Sequence, residues 1–286
     1  MRAMNDDKSD AGTERDRQFA KRRRAYRDAK ATQQKTAGGG SGKSGRPQPP
    51  DQVLLYGLHT VRAALDNPQR RIDRMFVTRN ALARLEVADP GALPFPVDIV
   101  QPKAIDGMLS ADAIHQGVAV AAKPLNPLPI SQLSDCSLLL VLDQITDPHN
   151  VGAIMRSAVA LGAGAIVTTL RHSPQESGVL AKSASGALEL IPHIQVVNLA
   201  EAIAELNGLG FQTIGLDSEG SAPLEETFEG KRLALVLGAE GKGLRNKTRL
   251  TVKALARLDM PGAIKSLNVS NAAAISLYAA RKHLVD

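Results

Sequence analysis

Three short segments of this 286-residue chain concentrate side chains that could take part in chemistry. Each follows or includes an apolar run typical of a buried strand or helix, and each is rich in Gly, Pro, Asn or charged residues. The segments are DQITDPHNVGAIMRSA (143–158), LGAEGKGL (237–244) and MPGAIKSLNVSNAAAISLY (260–278). In open parallel sheets, ligands bind beyond the carboxyl ends of the strands. These segments are therefore the candidates for a ligand site.

The first segment carries Asn150 and Arg156, six residues apart. We predict that Asn150 caps a helix over 150–163 and that Arg156 lies nearly two turns into it. Arg156 has apolar neighbours, which predicts a partly enclosed side chain, and an enclosed guanidinium needs an anionic or carbonyl partner. Two roles are open at this point: a structural ion pair with Asp143 or Asp147, or contact with a substrate.

The second segment has three glycines, Gly238, Gly241 and Gly243, directly after an apolar run. Glycine permits close backbone approach and positive φ. Glu240 at the apex could pair with a positive group or orient a substrate, but an ordinary glycine turn with a solvated carboxylate fits equally. The segment lacks both the GxGxxG spacing of dinucleotide folds and the GK[ST] of phosphate-binding loops.

The third segment joins a Pro-Gly turn, a polar stretch over 266–271 and a long apolar helical pattern. One capping residue is enough to begin a helix, and this stretch offers several. The surplus of polar side chains predicts a ligand beside the start of the final helix.

The elements that position these segments alternate between strand and helix patterns. The predicted strands of the C-terminal part lie at 137–143, 165–169, 191–197, 212–217, 233–238 and 253–260, and the predicted helices at 150–163, 176–187, 199–206, 243–249 and 268–284. Uninterrupted apolar strands are typical of a parallel sheet covered on both faces. The predicted fold class is α/β.

Composition divides the chain into four parts. Residues 1–50 form a basic tail of disordered composition, and 51–124 form a small α/β domain. In that domain a short strand leads into an amphipathic helix within 53–67, and further strands are predicted at 72–78, 96–101 and 117–123. Residues 125–135 form a proline-rich linker, and 136–286 form the second domain. The tail holds 13 Lys and Arg against 6 Asp and Glu, and the rest 22 against 23. A basic run can bind RNA phosphates through counterion release, or it can simply be a solvated tail.

The overall composition limits the classes of protein. Hydrophobic residues make up 43% of the chain, aromatic residues only 3%, and Trp is absent, so base-stacking platforms are not indicated. A single cysteine, Cys136, excludes an internal disulfide and an all-cysteine zinc site and is typical of a reducing compartment. No apolar run approaches the roughly 20 residues that span a membrane. We expect a soluble, cytoplasmic protein.

Taken together, the three segments resemble the three signature motifs of the SpoU branch of the SPOUT RNA methyltransferases, through DPHNVGAIMRSA, LALVLGAEGKGL and SLNVSNAAAISLY. YGLHTVRAAL and HQGVAV resemble the accessory RNA-binding domain of that family, which is similar to certain ribosomal proteins. The resemblance covers nearly all of 53–286. Within the branch, LALVLGAEGKGL and AKSASGALELIPHIQVVNLAEAI are most similar to the 23S ribosomal RNA guanosine 2′-O-methyltransferases.

This resemblance implies a C-terminal SPOUT domain whose last segments form a trefoil knot around S-adenosylmethionine. Knots are almost absent from proteins, so hydrophobic periodicity would not predict one. The implied cofactor-binding residues are Gly238, Gly243, Leu258, Met260 and Leu267. The family pattern usually has Ile-Pro-Met before the third motif, whereas this chain has Leu258-Asp259-Met260, which places a carboxylate at the expected cofactor rim.

The implied reaction is methyl transfer from the cofactor to a ribose 2′-hydroxyl of RNA. The resemblance places Arg156 at that hydroxyl with Asn150 nearby, and Glu240, Ser266 and Asn268 beside them, orienting Arg156 and the substrate. It implies a homodimer and no metal ion.

Other functions remain to be compared with this one. The accessory domain favours ribosomal RNA as substrate, and a tRNA 2′-O-methyltransferase is the nearest alternative. A non-catalytic RNA-binding protein is more distant, because the Arg and Asn of the first motif are both present. A dinucleotide-dependent oxidoreductase would need a GxGxxG after its first strand, and LDQITDPHN does not supply it.

Overall fold

Two β-sheets of different size organise the chain in this computed structural model, which describes residues 51–133 and 136–285. The described residues belong to one compact unit. The predicted basic tail lies outside them, as does part of the predicted linker. The boundaries of the predicted domains stay a prediction.

The smaller sheet has four strands and carries short helices. In chain order the elements are β1 (Val53–Tyr56), α1 (Leu58–Asp66), β2 (Ile72–Val77), α2 (Arg79–Arg84), β3 (Val97–Ile99), α3 (Pro102–Asp106) and β4 (Val118–Ala122), with 3₁₀ turns at Pro90–Ala92 and, after the sheet, Ile130–Gln132. The strand order is β1-β4-β2-β3. β4 runs antiparallel to both of its neighbours and is buried along its whole length.

The larger sheet has seven strands, all parallel, in the order β7-β6-β5-β10-β8-β11-β9. Its strands are β5 (Leu138–Asp143), β6 (Ala165–Thr169), β7 (His193–Val196), β8 (Gln212–Leu216), β9 (Ala222–Pro223), β10 (Leu233–Gly238) and β11 (Ala254–Arg257). Its helices are α4 (Pro148–Ala160), α5 (Gly178–Ala184), α6 (Ala187–Leu190), α7 (Leu199–Gly208), α8 (Leu224–Thr227), α9 (Asn246–Thr251) and α10 (Val269–Val285). The predicted α/β fold with a parallel sheet is confirmed.

Both faces of the larger sheet are covered. In β5 the side chains of Leu138, Leu140 and Leu142 enter one hydrophobic cluster, and those of Leu139 and Val141 enter the other. Successive side chains of a strand point to opposite faces, so a strand buried on both faces is apolar throughout.

The central strands β5 and β10 end at the same level, because Asp143 pairs with Gly238 in the register. The segments that follow them therefore leave the sheet side by side. This register brings the first and second candidate segments to one edge of the sheet.

Helix α4 begins earlier than predicted. It starts at Pro148, and Asp147 is its cap, with the side chain accepting from the His149 N–H at 2.9 Å. The prediction that Asn150 caps this helix is wrong. Proline is favoured in the first turn, where its missing N–H leaves no bond unmade, and an aspartate before it completes a strong start signal.

Two other helices also differ from their predicted ranges. The predicted helix over 176–187 is two short helices, α5 and α6, because Ser185 and Gly186 take positive φ values of 52° and 95°. The helix predicted near 243–249 is α9, which begins later, at Asn246, because the glycine turn occupies the residues before it. Within the described ranges, no helix has the length and apolar content needed to cross a membrane.

Candidate functional site

The start of helix α10 is where the three candidate segments meet. The side chain of Asn268 donates through Nδ2 to Asn150 Oδ1 at 3.0 Å, which joins the third segment to the first. The backbone N–H of Val269 donates to Glu240 Oε1 at 3.0 Å, which joins the third segment to the second. Side chains separated by more than 100 residues in sequence thus form one polar cluster.

Asn268 is the cap of helix α10. Its Oδ1 accepts from the Ser270 N–H at 2.9 Å, and its carbonyl accepts from the Ala272 N–H at 3.0 Å. These are the bonds of an N-cap, and they use only part of the polar stretch. Asn268 Oδ1 also accepts from the Ser270 hydroxyl, and its Nδ2 donates to Asn150, which explains part of the surplus seen in the sequence.

Glu240 provides a second acceptor at the same helix end. The first turn of a helix has unpaired N–H groups and a partial positive charge, so a carboxylate there satisfies both. The turn that carries Glu240 is closed by the Gly243 N–H donating to the Ala239 carbonyl at 2.8 Å. No hydrogen bond or ion pair joins Glu240 to Arg156 in the described residues.

Gly238 permits this tight turn. A Cβ atom added at Gly238 would lie 2.2 Å from the Gly243 carbonyl carbon and 2.5 Å from the Leu244 nitrogen. Real Cβ contacts are never that short, so a side chain at this position would push the turn away from the strand end. Gly243 takes a φ of +64°, which L-residues with a side chain rarely adopt.

Asp143, at the end of β5, is fully buried and pairs with Arg245. Its two oxygens accept from the Arg245 Nε at 2.6 Å and from the Arg245 backbone N–H at 3.0 Å. Sequence reasoning missed Arg245. The available signal was a buried carboxylate at a strand end, which requires a cationic partner nearby.

Arg156 is exposed, so the prediction of a partly enclosed side chain is wrong. Helix α4 directs Val151, Ile154, Met155 and Ala158 into the core, and position 156 falls outside that face. Among the described residues, Arg156 has no hydrogen-bond or ion-pair partner, because Asp143 binds Arg245 and Asp147 caps the helix. The structural ion pair is therefore not formed, and the guanidinium is available to a bound molecule.

The stretch between β11 and α10 is largely open to solvent. Ser266 is exposed and makes no hydrogen bond within the described residues, Leu267 is 41% exposed, and Leu258 and Met260 are half-buried. Asp259 accepts from Arg257 Nε at 3.1 Å. The backbone N–H groups of 259–267 make no backbone hydrogen bond within the described part of the chain. Free backbone groups beside apolar side chains suit a ligand with a purine and a polar tail.

A cavity of about 590 Å³ lies elsewhere, between the end of α1 and residues 93–96. None of the candidate site residues lines it. Among the described residues, no three His, Cys, Asp or Glu side chains are grouped as metal ligands would be.

Two family models match the chain. Residues 137–278 match the SpoU rRNA Methylase family, and residues 54–128 match a family described as RNA 2′-O ribose methyltransferase substrate binding. The first range contains all of the candidate site residues.

Curated relatives match over most of their length. A 23S rRNA (guanosine-2′-O-)-methyltransferase RlmB of Ralstonia nicotianae is 39% identical over 239 residues, covering 79% of this chain and 94% of the relative. The protein of the same name from Escherichia coli K12 is 35% identical over 237 residues, covering 79% and 97%.

Solved structures have the same fold. An AdoMet-bound rRNA methyltransferase from Sinorhizobium meliloti superposes with a TM-score of 0.66 at 25% identity, covering 82% of this chain and 89% of that one. The SpoU methyltransferase AviRb of Streptomyces viridochromogenes, in complex with AdoMet, has a TM-score of 0.70 at 19% identity, covering 82% and 91%, and this likeness concerns the fold.

Proposed function

Because this chain belongs to the SpoU rRNA methylase family, we propose that it methylates the ribose 2′-hydroxyl of a guanosine in 23S ribosomal RNA, with S-adenosylmethionine as methyl donor. The relatives that carry this activity in their names match at 34–39% identity over at least 94% of their own length. The AdoMet-bound rRNA methyltransferase of Sinorhizobium meliloti supports the choice of cofactor. When bound, this cofactor supplies an electrophilic methyl group.

The observation that carries this proposal is the exposed guanidinium of Arg156, which has no partner within the described ranges and belongs to α4, the helix that also carries Asn150. A ribose hydroxyl is a weak nucleophile until its proton leaves or its developing negative charge is stabilised. The arginine side chain stays protonated in proteins and therefore rarely acts as a base. We propose that Arg156 stabilises the developing alkoxide or orients the adjacent phosphate.

Asn150, Glu240, Ser266 and Asn268 complete the proposed catalytic set. Asn268 and Asn150 hold the start of α10 against α4, and Glu240 binds the first turn of α10. Their proposed role is to fix the distance between Arg156 and the stretch before α10. The free hydroxyl of Ser266 is available for the substrate.

We propose that Gly238, Gly243, Leu258, Met260 and Leu267 bind the cofactor. The glycine turn allows close approach, and the backbone N–H groups of 259–267, which make no backbone hydrogen bond within the described residues, offer donors to an adenosine. The proposed trefoil knot would place these same segments around it. Family membership supports this topology.

The remaining proposals concern organisation. We propose an RNA-binding domain over 51–124, supported by the substrate-binding family match, a linker over 125–135, a methyltransferase domain over 136–286 and a basic tail over 1–50. We propose a homodimer, for which the exposed Ile275 and Tyr278 on one side of α10 provide an apolar surface, and a cytoplasmic location, where ribosomal RNA is found.

The test is 2′-O-methylation mapping of total RNA from cells lacking this protein, complemented with the wild type or with Arg156→Ala. We expect one guanosine of the large-subunit rRNA to be unmethylated in the deletion and with Arg156→Ala, and methylated with the wild type. Loss confined to a tRNA would replace the proposed substrate by the alternative one. Unchanged methylation at every site would contradict the proposed activity.

A further inference from the structure

A buried ion network joins the RNA-binding domain to the methyltransferase domain. Arg70 pairs through Nη1 with Glu176 at 2.5 Å and through Nη2 with Glu189 at 2.6 Å. The side chains of Arg70, Glu189 and Glu176 are 0%, 1% and 11% exposed. We call these three residues the docking clamp.

The outer polar atoms of the docking clamp also have partners in the RNA-binding domain and the linker. Arg70 Nη1 donates to the Lys123 carbonyl at 2.8 Å, Asn67 Nδ2 donates to Glu189 Oε2 at 2.8 Å, and the Leu125 N–H donates to Glu176 Oε2 at 2.9 Å. When all polar atoms of a buried ion network are hydrogen-bonded in this way, the network favours one arrangement of the elements that it joins.

Close packing near the docking clamp also joins the two domains. A Cβ atom added at Gly178 would lie 2.3 Å from the Leu54 carbonyl oxygen, and one added at Gly186 would lie 3.0 Å from the Ala63 Cβ. Helices α5 and α6 therefore rest directly on β1 and α1. Burial raises the pKa of Glu176, although Arg70 lowers it, so desolvation is the larger effect on this carboxyl.

Helix α5 also packs against α4, the helix that carries Arg156. A Cβ atom added at Gly152, in α4, would lie 2.6 Å from the Ser183 Cβ and 2.7 Å from the Leu180 carbonyl oxygen. The His149 ring also contacts the Ser183 hydroxyl at 3.1 Å. A continuous packed path thus leads from the docking clamp through α5 to α4, the helix that carries Arg156.

We propose that Arg70 is a positioning residue for methyl transfer, because the docking clamp fixes the RNA-binding domain at one distance and angle from Arg156. This inference rests on the proposed function, since it requires that RNA held by residues 51–124 presents its ribose at Arg156. Removing Arg70 alone leaves two buried carboxylates facing each other, which drives the two domains apart.

The test compares Arg70→Met with the wild type on an in vitro transcript of 23S rRNA. We expect the KM for the transcript to rise at least tenfold, while kcat stays within about threefold and the Kd for S-adenosylmethionine within about twofold. A general loss of folding would lower the apparent kcat, because fewer molecules are active, and would leave KM and Kd unchanged. The matched control is Arg249→Met, which removes the same charge from a pair with Asp217 that lies wholly within the methyltransferase domain, and it should change the KM less than threefold.

A rescue variant tests whether the unpaired carboxylates cause the expected effect of Arg70→Met. Arg70→Met combined with Glu176→Gln and Glu189→Gln removes the unpaired carboxylates and keeps acceptors for the Leu125 N–H and Asn67. We expect the KM to return to within about threefold of the wild type. Small-angle X-ray scattering should show a larger radius of gyration for Arg70→Met and a wild-type radius for the triple variant.

Scattering does not depend on RNA activity, so the two proposals can fail separately. A wild-type protein that methylates no 23S transcript contradicts the proposed function, and the scattering series then still tests the docking clamp. Wild-type KM and scattering for Arg70→Met would overturn the clamp, and so would a fall in kcat with unchanged KM and cofactor affinity. If Arg70→Met does not fold, Glu176→Gln replaces it, with an expected threefold rise in KM, and an unchanged KM overturns the proposal.

Discussion

Arg156 combines a permanent positive charge with an exposed position and no partner among the described residues. The physical consequence is that its replacement should affect activity far more than folding. We expect Arg156→Ala to lower kcat by about 10² to 10³-fold, as removal of one preorganised charge-stabilising donor does, and to change the free energy of unfolding by less than about 0.5 kcal/mol.

The measurement is a single-turnover methylation assay together with urea denaturation. Arg156→Lys is the matched control, because it keeps the charge and loses the planar fork. If Arg156→Lys loses as much activity as Arg156→Ala, the planar guanidinium geometry is required for catalysis. If Arg156→Lys loses little activity, the positive charge alone is sufficient. Full activity of Arg156→Ala would contradict any catalytic role.

Position 238 requires glycine because neighbouring atoms leave no room for a side chain, and not because of its backbone φ angle. We expect Gly238→Ala to destabilise the fold by about 1–3 kcal/mol, because the added methyl group overlaps the Gly243 carbonyl and the turn must move. The displaced turn should also weaken S-adenosylmethionine binding.

Urea denaturation and calorimetric cofactor titration check both effects. Gly208→Ala is the control, since nothing lies within 4 Å of a Cβ atom added there at the end of α7. Its stability should equal or exceed that of the wild type. Equal stability for Gly238→Ala would refute the steric argument.

At the scale of single residues, sequence reasoning found candidate side chains better than it found their partners. Type and position single out Arg156 and Asn150, and the family resemblance adds Asn268, but they predict an enclosed Arg156 with Asp143 or Asp147 as its partner. Local spacing cannot show which of several arginines reaches a buried carboxylate, because Arg245 comes from a segment 102 residues away.

Helix α10 depends on two capping groups from different segments, Asn268 and Glu240. We expect Asn268→Ala to destabilise the protein by about 1 kcal/mol, as loss of an N-cap does. Glu240→Ala should cost less. The two changes should be coupled by about 0.5 kcal/mol or more, because both leave N–H groups of the same first turn unpaired.

Thermal and urea unfolding of the two single variants and the double variant measure this coupling. Asn271→Ala, three residues into the exposed side of the same helix, is the control and should be neutral or stabilising. Strict additivity of Asn268→Ala and Glu240→Ala would show that the two caps act independently.

At the scale of elements, hydrophobic pattern predicted six of the seven strands of the larger sheet and their parallel arrangement, because doubly buried strands are apolar throughout. The two-residue strand β9 was missed, since it is too short to show a pattern. Helix ends were predicted less well. The start of α4 was placed at Asn150 although Asp147 and Pro148 form the stronger signal, and the break between α5 and α6 depends on positive φ values that periodicity does not encode. The order of the strands is set by packing between distant segments, so no local pattern contains it.

The stability of the whole protein should depend on pH through His193. Its Nε2 contacts the hydroxyl of the fully buried Thr168 at 2.9 Å, and burial lowers its pKa from 6.5 to about 4. Below pH 6.5 the unfolded chain binds a proton at His193, whereas the folded protein does so only near pH 4. The free energy of unfolding should therefore fall as the pH decreases from 6.5 to 4, by at most about 3 kcal/mol from this residue.

Urea denaturation between pH 4 and 7.5 measures this loss. His193→Gln should flatten the profile in that range, whereas His172→Gln, at an exposed position, should leave it unchanged. Parallel profiles for His193→Gln and the wild type would show that the ring is not kept neutral by burial.

The Asn150–Asn268 hydrogen bond spans 118 positions of the chain, and the Asp143–Arg245 pair spans 102. Contacts of such separation form late in folding, because the chain must first lose the entropy of closing a long loop. During synthesis, β5 and α4 leave the ribosome well before residues 268 and 269 exist to meet them. The proposed methyl-transfer site is therefore absent from any nascent chain that has not yet reached residues 268 and 269.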